Sequence, residues 1–245
     1  MDPITLQKKE FEIRAGEVDR RGVVTIPALM QLMQETSLKH VIKLKASIWD
    51  MKDASWVLLS KEINIIKLPN LGDKITIRTY PAGVKRIYAY RDFWIYDEDG
   101  KVIVTASTTW TLLNLGTRKL QPIPETVKDL PIPDGFEPLQ NPPMKLKLKE
   151  ELKMLDHQKI GYYHLDWNNH VNNVHYLKFM LESIADHLPK YEVQTINIVF
   201  KGEALYKDRV EVHGQFDQSS NESHHKISSS AGKEITSALI NWKKV

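Results

Sequence analysis

The stretch Thr25-Ile26-Pro27-Ala28-Leu29-Met30-Gln31-Leu32-Met33-Gln34-Glu35-Thr36-Ser37-Leu38-Lys39-His40-Val41 carries the first long periodic signal in the chain. Ile26, Leu29, Met30, Met33, Ser37 and Val41 fall on one face at helical spacing, so the segment reads as an amphipathic helix. Thr25 is a good N-cap, and Pro27 is tolerable in the first turn because no N–H is needed there. Working outward, Phe11–Val18 reads as a short strand before the helix. Strand-like segments follow at Val57–Ile66, Lys74–Pro81, Arg86–Tyr96 and Val102–Asn114. Asp97-Glu98-Asp99-Gly100 supplies the turn between the last two.

The same order recurs in the second half. A strand at Lys159–Leu165 leads into a helix with apolar face Val174, Leu177, Leu181, Ile184 and Leu188. Strands are then predicted at Gln194–Lys201, Asp208–Asp217, His224–Ser230 and Glu234–Lys243. Leu71-Gly72-Asp73-Lys74-Ile75 and Tyr206-Lys207-Asp208-Arg209-Val210 match locally, each opening an alternating strand. Between the copies, residues 121–147 are rich in proline, from Pro122 and Pro124 to Pro142 and Pro143, and read as an extended linker unable to hold a helix. The expected division is a first domain over 1–120, the linker over 121–147 and a second domain over 148–245. An α+β unit with one helix followed by a run of antiparallel strands suits a sheet wrapped around that helix.

Composition narrows the function classes. The 245 residues have 42% hydrophobic and 27% charged side chains, six Trp, nine Tyr and six Phe, which is enough for an ordinary core. With no cysteine there is no disulfide, thiolate metal site or cysteine nucleophile. A net charge of +3 is too mild for a nucleic-acid binder. No apolar run reaches the length of a membrane span, and Met1–Lys9 has no signal-peptide core, so the expected address is cytoplasmic. The oligomeric state stays open, with a homodimer among the options.

The strongest chemical signal is Leu165-Asp166-Trp167-Asn168-Asn169-His170-Val171-Asn172-Asn173, between the second copy's first strand and its helix. If this run is extended, Asp166, Asn168 and His170 leave one face, a carboxylate, an amide and an imidazole suited to activating water and polarising a carbonyl. A polar loop with Asn172 or Asn173 as N-cap fits the same residues. Aligning Thr25 with Asn172 sets Asp19, Arg21 and Val23 opposite Asp166, Asn168 and His170, so the amide and imidazole are missing from the first copy. No Gly-x-Ser-x-Gly elbow occurs. His224-His225, and His164 with His175, lack metal-ligand spacing, so neither a metal nor a cofactor is predicted.

The Leu165–Asn173 motif, continued by Val174-His175-Tyr176-Leu177, resembles the active-site motif of acyl-acyl-carrier-protein thioesterases of plant plastids and bacteria. Leu32–His40, Ala106–Asn114 and Thr117–Glu125 resemble other segments of that family in the same order, so the likeness covers nearly the whole chain. The resemblance implies a tandem hot-dog fold, two long helices each wrapped by an antiparallel sheet, with one active site near the domain interface. It implies hydrolysis of fatty acyl-carrier protein, with Asp166, Asn168, His170 and Glu203 catalytic. On this reading Asn168 and nearby backbone N–H groups hold the thioester carbonyl, and Glu203 or His170 takes the proton of the attacking water. Asp166 orients Asn168 or His170. Many plant members carry a Cys after that Glu; Ala204 stands here, which excludes a cysteine route and leaves direct attack by water. Leu68 falls opposite Glu203 in the first copy, so one site per chain is expected.

The resemblance further implies that the first domain lines the acyl tunnel, making Ile26, Leu29, Met30 and Met33 substrate candidates besides core. Acyl-carrier protein is acidic, so Lys39, Lys43 and Lys45, or Lys85 with Arg86, are docking candidates as well as solvated surface. A coenzyme A thioesterase shares the fold and the phosphopantetheine thioester. A non-catalytic acyl-binding protein is a further alternative, against which the four retained residues count.

Overall fold

Thr25 caps the first helix, α1 (Ile26–Lys43), by accepting the Ala28 N–H at 3.2 Å, while Pro27 occupies a first-turn position. The computed structural model describes residues 4–46, 50–51 and 53–245; of the Met1–Lys9 segment, Met1–Pro3 lie outside them. The expected apolar face is buried at Ile26, Leu29, Met30 and Met33 and continues through Leu32, Thr36 and His40. Each such aliphatic side chain contributes roughly 1.5–3 kcal/mol on burial. His40 is held neutral: its Nε2 donates to Ile4 O at 2.9 Å and its Nδ1 faces Arg91 Nη1 at 3.1 Å. Burial, with Arg91 beside it, lowers its pKa to about 4.

The chain divides into two compact units, up to Pro142 and from Pro143. In the first, β1 (Gln7–Glu12), β2 (Ala54–Ile65), β3 (Lys74–Lys85), β4 (Tyr88–Tyr96) and β5 (Val102–Asn114) pair antiparallel in the order β1-β3-β4-β5-β2. A two-residue strand β6 (Leu120–Gln121) pairs with β5. In the second unit, β7 (Lys153–Lys159), β8 (Tyr191–Phe200), β9 (Arg209–Asp217), β10 (Glu222–Ser229) and β11 (Glu234–Lys244) pair antiparallel as β7-β9-β10-β11-β8. The two orders are the same. Helix α1 packs on β1 and β3, and α3 (Asn173–Glu182) on β9 and β10, so each unit is a helix against its own sheet. No helix among the described residues is long and apolar enough to cross a membrane.

Several boundaries differ from the sequence reading. The strand expected over Phe11–Val18 ends at Glu12. The Glu17 carboxylate accepts the Arg14 N–H at 2.8 Å and curls Ala15–Glu17 into a 3-10 turn. The strand expected over Lys159–Leu165 instead occupies Lys153–Lys159. This edge strand is largely exposed, so it carries little apolar alternation to read. Its chain then forms a matching 3-10 turn at Tyr162–His164, where His164 Nδ1 accepts the Gly161 N–H at 3.1 Å. Helix α3 is short: Ile184 and Leu188 lie beyond it, because the chain tightens to i→i+3 bonds after Ser183. β4 starts at Tyr88, since Arg86 has a positive φ of 59° in the hairpin turn.

The proline-rich stretch does hold a single helical turn, α2 (Glu125–Lys128), entered from Pro124. Proline cannot continue a helix but is compatible with starting one. The stretch also packs on the first unit instead of hanging free. Ile123 and Val127 are buried, the Tyr80 hydroxyl donates to Glu137 O at 3.0 Å, and the Leu139 N–H donates to Asp92 Oδ2 at 2.7 Å.

Candidate active site

The loop ahead of α3 is closed by Asp166. Its N–H donates to His170 O at 2.8 Å, and its Oδ1 accepts the N–H of Asn168 at 2.8 Å and of His170 at 3.3 Å. The Asn169 N–H returns to Asp166 O at 3.1 Å, with Asn169 at a φ of 60°, a left-handed conformation that Asn tolerates. The run is therefore a tight loop, and the expectation of an extended segment with three side chains on one face does not hold. A carboxylate that can bond its own backbone two residues on makes the turn more favourable than the strand. It also spends the backbone N–H groups of residues 168–170 inside the loop. None of those three remains to hold a thioester carbonyl. The Asn168 side-chain amide is exposed and has no hydrogen-bond partner among the described residues. Asn172 is the N-cap, accepting the Val174 N–H at 3.2 Å, so the capping reading holds for that residue.

The loop brings His170 to Glu203. His170 Nδ1 lies 3.1 Å from Glu203 Oε2, with both side chains part-exposed. Glu203 leaves β8 on a segment tied down at Ala204. The Ala204 N–H donates to the Tyr176 hydroxyl at 2.9 Å, and Ala204 O accepts the Val171 N–H at 3.4 Å. Tyr176 is fully buried, and that burial above all pushes its pKa up to about 12.

The first unit builds the same loop from different residues. Asp19 Oδ1 accepts the N–H of Arg21 at 2.8 Å and of Val23 at 3.3 Å, and the Asp19 N–H donates to Val23 O at 2.8 Å. Gly22, at a φ of 75°, takes the place of Asn169. The Val24 N–H donates to Pro69 O as Val171 does to Ala204 O, which fixes Leu68 opposite Glu203. There the resemblance stops. Arg21 Nε binds the Asp19 carboxylate at 2.9 Å, and Val23 and Leu68 replace the imidazole and the carboxylate. The Tyr176 position is Leu29 and the Ala204 position is Pro69, which has no N–H to offer.

The structure thus joins Asp166, Asn168 and His170 in one loop and sets Glu203 against His170. Tyr176 is the residue the sequence reading did not single out. Its signal was present as a correlated pair: Tyr176 goes with Ala204, which has an N–H to give the hydroxyl, and Leu29 goes with Pro69, which has none. Ile26, Leu29, Met30 and Met33 are buried on α1 in the first unit. Lys39, Lys43, Lys45, Lys85 and Arg86 are exposed near the end of α1 and at the β3–β4 hairpin. His164 and His175 pack with ring centroids 4.9 Å apart, and burial, then Lys178, hold His164 below the ordinary histidine range. His224 and His225 are neighbours on β10 and point to opposite faces of the sheet.

Comparison with known proteins bears on the whole chain. The family model described as the acyl-ACP thioesterase N-terminal domain matches residues 5–130, and that of the acyl-ACP thioesterase C-terminal domain matches 147–244. The chain belongs to the acyl-ACP thioesterase family. A palmitoyl-acyl carrier protein thioesterase of Cuphea hookeriana is 26% identical over 96% of this chain and 62% of its own length. An oleoyl-acyl carrier protein thioesterase of Arabidopsis thaliana is 28% identical over 83% of this chain and 62% of its own. The chain thus spans less than two thirds of the length of these chloroplastic relatives. An acyl-ACP thioesterase structure from Bacteroides thetaiotaomicron superposes with a TM-score of 0.86 at 20% identity, covering 98% of both chains. A 12:0-ACP thioesterase from Umbellularia californica superposes at 0.82 with 20% identity, covering 100% and 99%. The fold is a tandem of hot-dog units, α+β, each a helix against an antiparallel sheet.

Proposed function

We propose that this chain hydrolyses the thioester of fatty acyl-acyl-carrier protein, releasing the free fatty acid and ending chain elongation. The observation that carries this is the 3.1 Å contact between His170 and Glu203, built in one copy of a loop that occurs twice. With Nδ1–H donated to the Glu203 carboxylate, Nε2 of His170 is the basic nitrogen, and Glu203 steadies the imidazolium that forms. Water loses a proton to Nε2 as its oxygen attacks the thioester carbon. The Asn168 amide donates to the developing oxyanion, and the tetrahedral intermediate collapses with the proton passing to the departing thiolate. Asp166 acts through the backbone, fixing the loop that carries both side chains. Neither a cofactor nor a metal enters the proposal, and it places the reaction in the cytoplasm.

The test is hydrolysis of carrier-bound and coenzyme A-bound acyl chains of graded length by the purified chain. The proposal expects higher kcat/KM on the carrier; equal or better turnover of the coenzyme A thioester would transfer the assignment to that substrate, and hydrolysis of neither would end it. A single turnover in 18O-labelled water should put the label into the fatty acid, whereas unlabelled acid would point to an anhydride on Glu203. If His170 is the base, His170→Ala should cost more than Glu203→Gln, whose amide oxygen still accepts the Nδ1–H.

A further inference from the structure

The chain segments flanking the Asp166–His170 loop and Glu203 differ between the two units in a way the reaction just proposed does not use. Tyr162, Tyr163 and Tyr206 are all exposed, Tyr163 to 90%, and Tyr162 meets the other two edge-on with ring centroids 5.6 and 6.4 Å apart. Trp167, in the loop between Asp166 and Asn168, is 52% exposed. The equivalent positions of the first unit hold Ala15, Gly16, Leu71 and Arg20. Exposed tyrosine and tryptophan grouped at one place mark a surface that meets a partner, because they bury large area at small entropy cost.

Charge at the same place points to the partner. Lys159 on β7 lies directly opposite Arg209 on β9, two exposed cations in one cross-strand pair. The corresponding pair in the first unit is Glu12 opposite Lys74, with opposite charges. Like charges directly opposite in a sheet are destabilising, so folding alone favours the first arrangement. Lys207, with its ammonium 5.2 Å from the Tyr206 ring centroid, adds a third cation where the first unit has Gly72.

We infer that this aromatic and basic surface of the second unit is where the acidic acyl-carrier protein docks to deliver its thioester to His170 and Glu203. The inference rests on the hydrolysis proposed above. It assigns the tyrosines to contact area and Lys159, Lys207 and Arg209 to steering and orienting the acidic partner.

Lys159→Glu recreates the opposite-charge pair of the first unit, and Tyr163→Ala removes the most exposed ring. Each is expected to raise KM for acyl-carrier substrate and Kd for the unacylated carrier several-fold, the pair together by about tenfold or more. Turnover of an N-acetylcysteamine thioester, which has no carrier, should be unchanged, and the Lys159→Glu loss should shrink with added salt. The thermal midpoint of Lys159→Glu should be no lower than that of the unaltered protein. Unchanged carrier affinity would overturn the inference, as would an equal loss on the small thioester or a lowered midpoint. The carrier-binding measurement is independent of turnover, so it decides the docking surface even if the proposed hydrolysis fails. Self-association through this face, abolished by the same substitutions without effect on carrier binding, would also overturn it.

Discussion

Two loops in this chain have the same hydrogen bonds and different chemistry. In residues 19–25 and again in 166–172, an aspartate accepts two backbone N–H groups, a left-handed residue closes the turn, and a capping side chain starts the helix. The shared part is what folding requires, and Asp belongs to it in both. What differs is Arg21 against Asn168, Val23 against His170, and Leu68 against Glu203. The first loop closes its aspartate with a guanidinium; the second leaves an amide exposed and presents an imidazole to a carboxylate that follows β8. Internal duplication therefore marks which residues the shared loop does not require.

A large effect of breaking this contrast is expected at Asn168. Asn168→Ala should lower kcat about 10²–10³-fold, the usual cost of one oxyanion donor, because the loop's own N–H groups are already engaged. Arg21→Ala in the first loop should leave turnover unchanged. Comparable losses in steady-state assays of both variants would mean that the two loops are not specialised as argued.

Tyr176 sharpens the comparison at the next level. Its hydroxyl holds the Ala204 N–H and so fixes where Glu203 leaves β8. Tyr176→Phe should lower kcat about 10- to 10²-fold through misplacement of the carboxylate, with KM little changed. The pH dependence of kcat should shift with it, a readout that loss of packing alone would not move. An unaltered pH profile with only reduced stability would reduce Tyr176 to a core residue.

Much of this was open to sequence reading, and the reasons for the rest are local. The helix at Thr25 and the strand over Val102–Asn114 are legible because a strong period and a clear start coincide. The Asp166 loop is only half legible, because Asp-x-Asn-x-His alternates like a strand yet also reads as a polar loop before a helix, and the bond that decides runs from a carboxylate oxygen to neighbouring N–H groups. Beta strand β7 is hard to see because an exposed edge needs no apolar alternation. Glu203 could be assigned only by resemblance, since nothing in Lys201-Gly202-Glu203-Ala204 sets that carboxylate apart from the chain's other acidic residues. Tyr176 looks like one more aromatic on a helix until Pro69 and Leu29 are placed beside Ala204 and itself.

The smallest expected effect distinguishes shared from specialised duty. Asp19→Ala and Asp166→Ala each release two N–H groups and should each cost about 1–2 kcal/mol in urea unfolding. Only Asp166→Ala should also reduce turnover, by disordering the segment that carries Asn168 and His170. A turnover loss of similar size in Asp19→Ala would show that the first loop reports on the site after all.

The central claim, that chemistry resides in one of two equally built loops, is tested most directly by exchanging the deciding pair. His170→Val with Glu203→Leu gives the second loop the first loop's residues at two of the three differing positions, and Val23→His with Leu68→Glu does the reverse. Single-turnover hydrolysis of acyl-carrier thioester should fall about 10²–10⁴-fold in the former, the share of the general base, with Asn168 still in place. In the latter it should stay at the unaltered level, since Arg21, Leu29 and Pro69 leave the new pair without an oxyanion amide and without an anchored carboxylate. Turnover undiminished in the His170→Val, Glu203→Leu protein would contradict the account.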